Sequence, residues 1–408
     1  MAWAVLLLAA IWPPYSAASA GEWPQILGPH RNGVADEERI ATKWPGGQPP
    51  TLWQRDVGSG FAGVAVAGQR VVLFHRVGNE EIAEAMRPDN GHVLWKQSFP
   101  ARYAGGIDPD NGPRCVPVIA NDRVYLLGAN GDLHCVSLES GQPLWSRPLN
   151  HELEARPNYF GAGSSPLVEG DRVLVNVGGR DGAGIVALDA QTGKTLWSAT
   201  DEGASYSSPV AATIDGVRHI IFATRLTCTS VDPRDGSMHF QFPFGRTGPT
   251  VNGANPVVLD RHLFLSASYG VGAKLAEITA NDARVVWESD DVMSSQYVTA
   301  VPHEGILYGI DGRQDIGVAR LRAVDPVPGN VLWTHEDFGT AALILADGKL
   351  LAMKSDGELV IVEPSAQRYR ELARMRLFDE TVRALPALSG GKLYVRSTDT
   401  LKCIDLSK

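Results

Sequence analysis

Trp53, Trp95, Trp145, Trp197, Trp287 and Trp333 recur at steps of 42, 50, 52, 90 and 46 residues, each closing a segment that ends in a glycine turn, a few further residues and Trp. A period of this length restricts the chain to a radial repeat in which one four-stranded unit is used again and again. The step of 90 hides a pair: Phe240, after Asp232-Pro233-Arg234-Asp235-Gly236, takes the place of a tryptophan. Such units bury their apolar faces only against one another. That overrides the two or three domains (roughly 100–200 residues each) that length alone would predict.

The clearest unit runs from Ser207-Ser208-Pro209-Val210 through Ile220-Ile221-Phe222 and Thr229-Ser230-Val231-Asp232 to the Asp235-Gly236 turn and Met238-His239-Phe240. Its four short segments alternate apolar and polar residues, are rich in β-branched side chains, and read as strands joined by tight turns. Outer-strand ends at Trp95, Trp145, Trp197, Phe240, Trp287, Trp333 and, in degenerate form, near Leu377 mark seven units, with Arg368 to Phe378 read as an altered outer strand rather than a short helix. Ala387 to Leu406 supplies the inner strands of an eighth, and Thr51-Leu52-Trp53-Gln54-Arg55 has the form of its missing outer strand. The expected fold is an all-β, eight-bladed β-propeller of four-stranded antiparallel blades over residues 51–408. An N-terminal outer strand closes the ring and removes two exposed edges. The tryptophans are read as wedges between blades, each with a ring nitrogen that finds a carbonyl.

Residues 1–20, with the apolar run Ala2 to Trp12 and then Ala17-Ala18-Ser19-Ala20, read as an export signal, which implies a periplasmic or secreted protein. Residues 21–50 are a separate clamp segment, rich in Pro and Gly and expected to lie across the outside of the ring. The formal charge of −9, with no long basic block, argues against nucleic acid as a partner. No later stretch is long and apolar enough for a transmembrane contact, and a monomer is expected. Cys135, Cys228 and Cys403 occupy matching third-strand positions, so buried thiols are expected, with Cys115 and Cys135 the only intrarepeat pair to check.

In a propeller the links between blades and those between second and third strands emerge on one face around the central channel, where binding residues belong. These links collect Arg76, Arg114, Asn158, Tyr159, Arg225, Asn252, Tyr269, Gln296, Tyr297, Lys354 and Arg396 as ligand-binding candidates. Guanidinium groups, amides and phenols suit a ligand with carboxylates or hydroxyls. The same residues also read as scaffold: Arg114, Arg225 and Arg396 pairing with Asp108, Asp110, Asp311 or Asp356, Asn252 forming a turn, and the tyrosines filling the funnel.

If the funnel is catalytic, His75 or Tyr206 would act as acid or base, with Arg114, Arg225 or Lys354 stabilising a sugar carboxylate or enolate. Asp311 and Asp356 form an alternative hydrolytic pair. The ten histidines are dispersed and Asp108-Pro109-Asp110-Asn111-Gly112 lacks a full calcium-ligand series, so neither a metal site nor a cofactor is expected. The residues point first to an exported propeller that binds a polar or carboxylated glycan, another polar small molecule or an exported protein at its funnel, and second to a polysaccharide lyase or glycoside hydrolase acting on uronic-acid sugars.

The Ser-Ser-Pro starts, Gly170-Asp171-Arg172-Val173 and the run Ile185 to Trp197 resemble the repeat of the pyrroloquinoline-quinone-like (BamB/quinoprotein-type) propeller family over residues 51 to 406. Trp23-Pro24-Gln25, Gly28-Pro29 and Asn32-Gly33 resemble exported propellers of planctomycete-like bacteria. The family holds quinone-dependent dehydrogenases and an outer-membrane assembly lipoprotein. The dehydrogenase branch implies adjacent cysteines in a disulfide and a Glu/Asn/Asp calcium set; no two cysteines are adjacent here. The lipoprotein branch implies a lipidated cysteine in the signal region, and residues 1–20 contain none.

Overall fold

The computed structural model describes residues 21–156 and 158–407; the expected export signal lies outside them. Among the described residues the strands form eight sheets, each with four antiparallel strands running from the channel outward, and in blade 7 a fifth short strand, Val34–Ala35, joins in parallel at the inner edge. Blade 1 comprises Ala65–Ala67, Arg70–Val77, Glu80–Met86 and Val93–Pro100. Blades 2 to 7 follow in chain order and end in the outer strands Pro143–Pro148, Thr195–Ala199, Met238–Pro243, Ala283–Ser289, Asn330–His335 and Glu371–Arg376. The last of these is the altered outer strand expected from Arg368 to Phe378. Blade 8 takes its three inner strands from Ala387–Ser389, Lys392–Arg396 and Thr400–Asp405, and its outer strand from Thr51–Asp56, paired antiparallel to Thr400–Asp405. The ring therefore closes as the sequence indicated.

Second strands are sandwiched between neighbouring blades and read as unbroken apolar runs, as in Val71-Val72-Leu73-Phe74, all fully buried. Outer strands keep one face in water and alternate, as in Thr195–Ala199. The apolar core lies between blades: Val72 and Phe74 of blade 1 share a cluster with Val124 and Leu126 of blade 2, and Leu174 and Ile185 of blade 3 share one with Ile220 and Phe222 of blade 4.

Each tryptophan ties its blade to the next. Trp53 Nε1 donates to Pro88 O at 3.1 Å, Trp95 to Leu138 O at 2.9 Å, Trp145 to Ala190 O at 3.1 Å, Trp197 to Pro233 O at 3.1 Å, Trp287 to Pro326 O at 2.9 Å and Trp333 to Ser365 O at 2.7 Å. In five of the six the indole rests on the glycine of that same turn; the blade 7 turn that receives Trp333 has no glycine. A Cβ on Gly91 would fall 2.8 Å from the Trp53 ring. The glycine and tryptophan of one sequence repeat thus serve different interfaces.

A second tie runs along the channel. Val116 N–H donates to Ser165 Oγ, Ser165 N–H to Ser208 Oγ, Ser208 N–H to Asn255 Oδ1 and Asn255 N–H to Thr299 Oγ1, at 2.8–2.9 Å. The Ser-Ser-Pro starts are therefore links in a chain of bonds from blade 2 to blade 6, which satisfies buried N–H groups where the innermost strands begin.

Residues 21–47 lie against the inner strands, not across the outside of the ring as expected. Trp23 exchanges backbone bonds with Val66 of blade 1, at 2.9 and 2.8 Å, and Val34–Ala35 pairs in parallel with Leu345 and Ala346 of blade 7. Arg31, buried in the channel, donates to Pro209 O at 3.0 Å and also to Ser165 O and Pro166 O. Glu38 accepts Gly390 N–H and Gly391 N–H at 2.7 and 2.6 Å, and Arg39 pairs with Asp347 at 2.9 Å. These last partners are turns between first and second strands, so the segment plugs the channel from the face opposite the long links. An inner edge strand leaves backbone groups unpaired, and the plug pairs some of them. The four cysteines are free and buried.

Candidate functional site

The links between blades and between second and third strands gather on one face, here called the loop face. Their carbonyls cannot join a sheet and need other donors. Arg76 Nη1 donates to Tyr103 O at 2.5 Å and Asn111 O at 3.1 Å, pinning the long link between blades 1 and 2. Arg114 donates to Gly112 O and Asp110 O, pairs with Asp110 at 3.5 Å, and lies 5.4 Å from the Phe61 ring centre and 5.3 Å from that of Tyr103. Arg225 donates to Arg246 O and Gly248 O, both at 2.8 Å. Arg396, buried, donates to Gly58 O at 2.6 Å and Thr398 O at 3.0 Å, and burial lowers its guanidinium to about 10. Asn252 Nδ2 reaches Thr224 O at 2.8 Å, joining adjacent blades rather than shaping its own turn.

The ionisable candidates are paired within their own blades. His75 and Arg76 lie in the second strand of blade 1, and Asp311 in that of blade 6, because those hairpins extend further than the sequence indicated. His75 Nδ1 accepts Gly58 N–H at 2.6 Å, which directs the Nε2 proton toward Glu84 Oε1 at 3.3 Å. Burial alone would raise Glu84; hydrogen bonds from His75 and Lys96 and the nearby Arg55 charge outweigh it and pull the carboxyl down to about 2. Asp311 accepts Ser294 N–H at 2.8 Å and pairs with Arg320 and Arg322 at 3.1 and 3.2 Å. Lys354 pairs with Asp356 and Glu358 at 2.8 and 3.0 Å. Asp311 and Asp356 thus belong to separate charge clusters on blades 6 and 7.

Among the aromatic and amide candidates, Tyr269, Gln296 and Tyr297 come together. Gln296 Nε2 donates to Tyr269 Oη at 3.0 Å, and Tyr297 Oη donates to Gln314 Oε1 at 2.8 Å while Gln314 N–H donates back to Gln296 Oε1 at 2.9 Å. Burial raises the Tyr297 phenol to about 12. Tyr206 Oη accepts Phe160 N–H at 2.8 Å, and burial raises that phenol further. Its partners differ from those of His75, so these two do not form an acid-base couple by contact. Asn158 lines a cavity beside blades 2 and 3, and Tyr159 is exposed. Among the described residues no group of three or more His, Cys, Asp or Glu is placed to hold a metal ion.

The loop face also carries residues that polarity alone did not flag. Val77, Ile107, Ile316 and Val318 expose large apolar side chains there, Ile107 at 72% and Ile316 at 60%, alongside the exposed ring of the candidate Tyr159. Ile107 was visible in the sequence as a lone aliphatic between Gly105-Gly106 and Asp108-Pro109-Asp110. Ile316 sits at the tip of the extended blade 6 hairpin, between Ile306–Arg313 and Val318–Asp325.

A family model described as "Outer membrane protein assembly factor BamB" matches residues 78–335. The chain belongs to that family. BamB of Salmonella typhimurium is 31% identical over 126 residues, 30% of this chain and 28% of that protein; BamB of Burkholderia pseudomallei is 35% identical over 107 residues, 24% and 25%. A quinoprotein ethanol dehydrogenase of Pseudomonas aeruginosa is 28% identical over 129 residues, 31% of this chain and 20% of that protein. The aligned stretches thus span less than a third of these relatives. Among solved structures, BamB from Moraxella catarrhalis superposes with a TM-score of 0.62 at 16% identity, covering 87% of this chain and 97% of that one. A europium-containing methanol dehydrogenase gives 0.68 at 12% identity, covering 92% and 89%. At such identities the likeness is one of fold. The family agrees with the periplasmic or secreted location expected from residues 1–20. The quinone branch fits less well, because the four cysteines are buried free thiols with no adjacent pair.

Proposed function

We propose that this protein is an exported, noncatalytic scaffold whose loop face docks a polypeptide on its way to the outer membrane. The observation that carries this reading is the division of labour on that face. The cations Arg76, Arg114, Arg225, Lys354 and Arg396 are spent on loop carbonyls and internal carboxylates, while Val77, Ile107, Tyr159, Ile316 and Val318 stand in water. Large apolar side chains standing in water on one face offer surface that a protein partner would bury. The curated BamB relatives carry the name of assembly factors, which favours the same class of partner.

A carboxylated glycan at the funnel has less support. Arg114, Arg225 and Lys354, the groups that would receive its carboxylates, already have internal partners. The test is binding of an outer-membrane β-barrel chain, held unfolded and diluted into buffer, to wild type and to an Ile107→Asp/Ile316→Asp variant. The variant is expected to bind at least tenfold more weakly with an unchanged melting temperature. Formation of unsaturated product from a uronic-acid polymer would replace this reading with the lyase.

A further inference from the structure

A cavity of about 270 Å³ opens on the loop face at the junction of blades 2 and 3. It lies just under the lower end of small-molecule sites, about 300–1,000 Å³, and is large enough for one ring-sized molecule. Its floor is aliphatic, formed by Leu127, Leu149, Val175 and Val177. Polar groups converge on that floor.

Asn176 and Ser164 are each more than nine-tenths buried and line the cavity, yet Asn176 Oδ1 and Ser164 Oγ have no hydrogen-bond partner in the protein. A buried polar atom without a partner costs about 1–3 kcal/mol, so two in one cavity point to a ligand that satisfies them. Asn176 is held from the other side, its Nδ2 donating to Ser205 Oγ at 3.4 Å, which leaves its acceptor for a guest. Space for a further amide is provided by Gly131, whose missing side chain is where the Asn150 amide lies.

The charge pattern narrows the class of guest. None of the described lining residues is Asp, Glu, Lys or Arg, and the imidazole of His151 is the one basic group among them. The carboxylate of Asp132 lies behind Asn130 at 3.4 Å and is paired with Arg102 at 3.9 Å, which leaves that side of the cavity close to neutral. Amides and hydroxyls that both donate and accept, an aromatic ring at Tyr103 and an aliphatic floor match a molecule with hydroxyls on a compact apolar ring. We propose that this cavity binds an uncharged pyranose. The site is separate from the polypeptide-docking reading and does not depend on it.

The experiment is calorimetric titration of the whole protein with methyl glucoside, N-acetylglucosamine, a neutral trisaccharide and glucuronate. Saturable binding is expected for the neutral sugars, with glucuronate at least tenfold weaker. Stronger binding of the trisaccharide would place the end of a glycan in the cavity, and equal binding a free sugar. Asn176→Leu and Ser164→Ala should each weaken binding at least fivefold. Ala155→Phe, which blocks the cavity while leaving every polar group in place, should abolish it and serves if Asn176→Leu fails to fold. The proposal is overturned if glucuronate binds as well as the neutral sugars, if no neutral sugar binds at tens of millimolar, or if Ala155→Phe binds like wild type.

Discussion

Gly193 of blade 3 lies directly under the indole of Trp145 of blade 2. A Cβ built on Gly193 would fall 2.7 Å from Trp145 Cε3, and the same indole donates through Nε1 to Ala190 O at 3.1 Å. Gly193 also has φ +70°, a conformation that costs an L-residue about 1–2 kcal/mol. Gly193→Ala should therefore lower stability by about 2–3 kcal/mol. In a double-mutant cycle with Trp145→Leu, removing the ring should recover part of that loss, because the clash disappears with it. Strict additivity in denaturant unfolding would show that the two residues do not act as a unit.

Glu81 makes stability depend on pH. Burial raises its carboxyl from 4.5 to about 7, against the opposing bond from Ala129 N–H. Between those values the fold holds a proton that the unfolded chain has released, so stability falls as pH rises through the window and the cost is complete above about 7. Burial lowers His134 and His219 to about 4, which acts in the opposite direction on acidification, so the informative quantity is the difference between wild type and variant. Glu81→Gln should gain up to about 3 kcal/mol relative to wild type between pH 4.5 and pH 8. Parallel stability curves for the two proteins across that range would contradict this assignment.

The cysteines are expected to be chemically silent. Burial raises Cys115 and Cys403 to about 12 and Cys135 to about 11, and raises Cys228 as well. With thiolate almost absent at neutral pH, a thiol reagent should modify none of them in the native state and all four after denaturation. Fast modification of even one residue in the folded protein would require a more open blade interface.

The ring and its closure were legible because a glycine turn and a tryptophan recur at fixed separation, and because Thr51–Asp56 is an outer strand lacking a blade of its own. Phe240 marks where the pattern loosens: the corresponding turn of the next blade, Thr279 to Asp282, lacks glycine, as does the blade 7 turn that receives Trp333. The loop face was less legible. Whether an arginine faces a ligand or a carbonyl depends on contacts between distant links, as between Arg76 and Tyr103, and such pairs leave no periodic trace. Asn176 and Ser164 likewise become a site only when blades 2 and 3 stand side by side. The position of residues 21–47 is illegible for a similar reason, since a Pro- and Gly-rich strap with buried tryptophan has the same composition inside a channel as outside it.

That strap should contribute substantially to stability. Trp23 is buried against the inner strands together with Val66 and Leu388. Trp23→Ala should cost about 3–5 kcal/mol, the range for large aromatic truncations in a core. Urea unfolding followed by circular dichroism measures it, and a loss below about 1 kcal/mol would indicate a strap that rests on the ring without stabilising it.

Binding of an unfolded outer-membrane β-barrel chain to the loop face tests the central claim most directly. Fluorescence anisotropy of a labelled chain should give saturable binding to wild type, a loss of at least tenfold for Ile107→Asp/Ile316→Asp, and no loss for Leu196→Asp on the outer rim. Equal binding by wild type and the loop-face variant, or a loss confined to Leu196→Asp, would contradict the assignment of that face to a polypeptide.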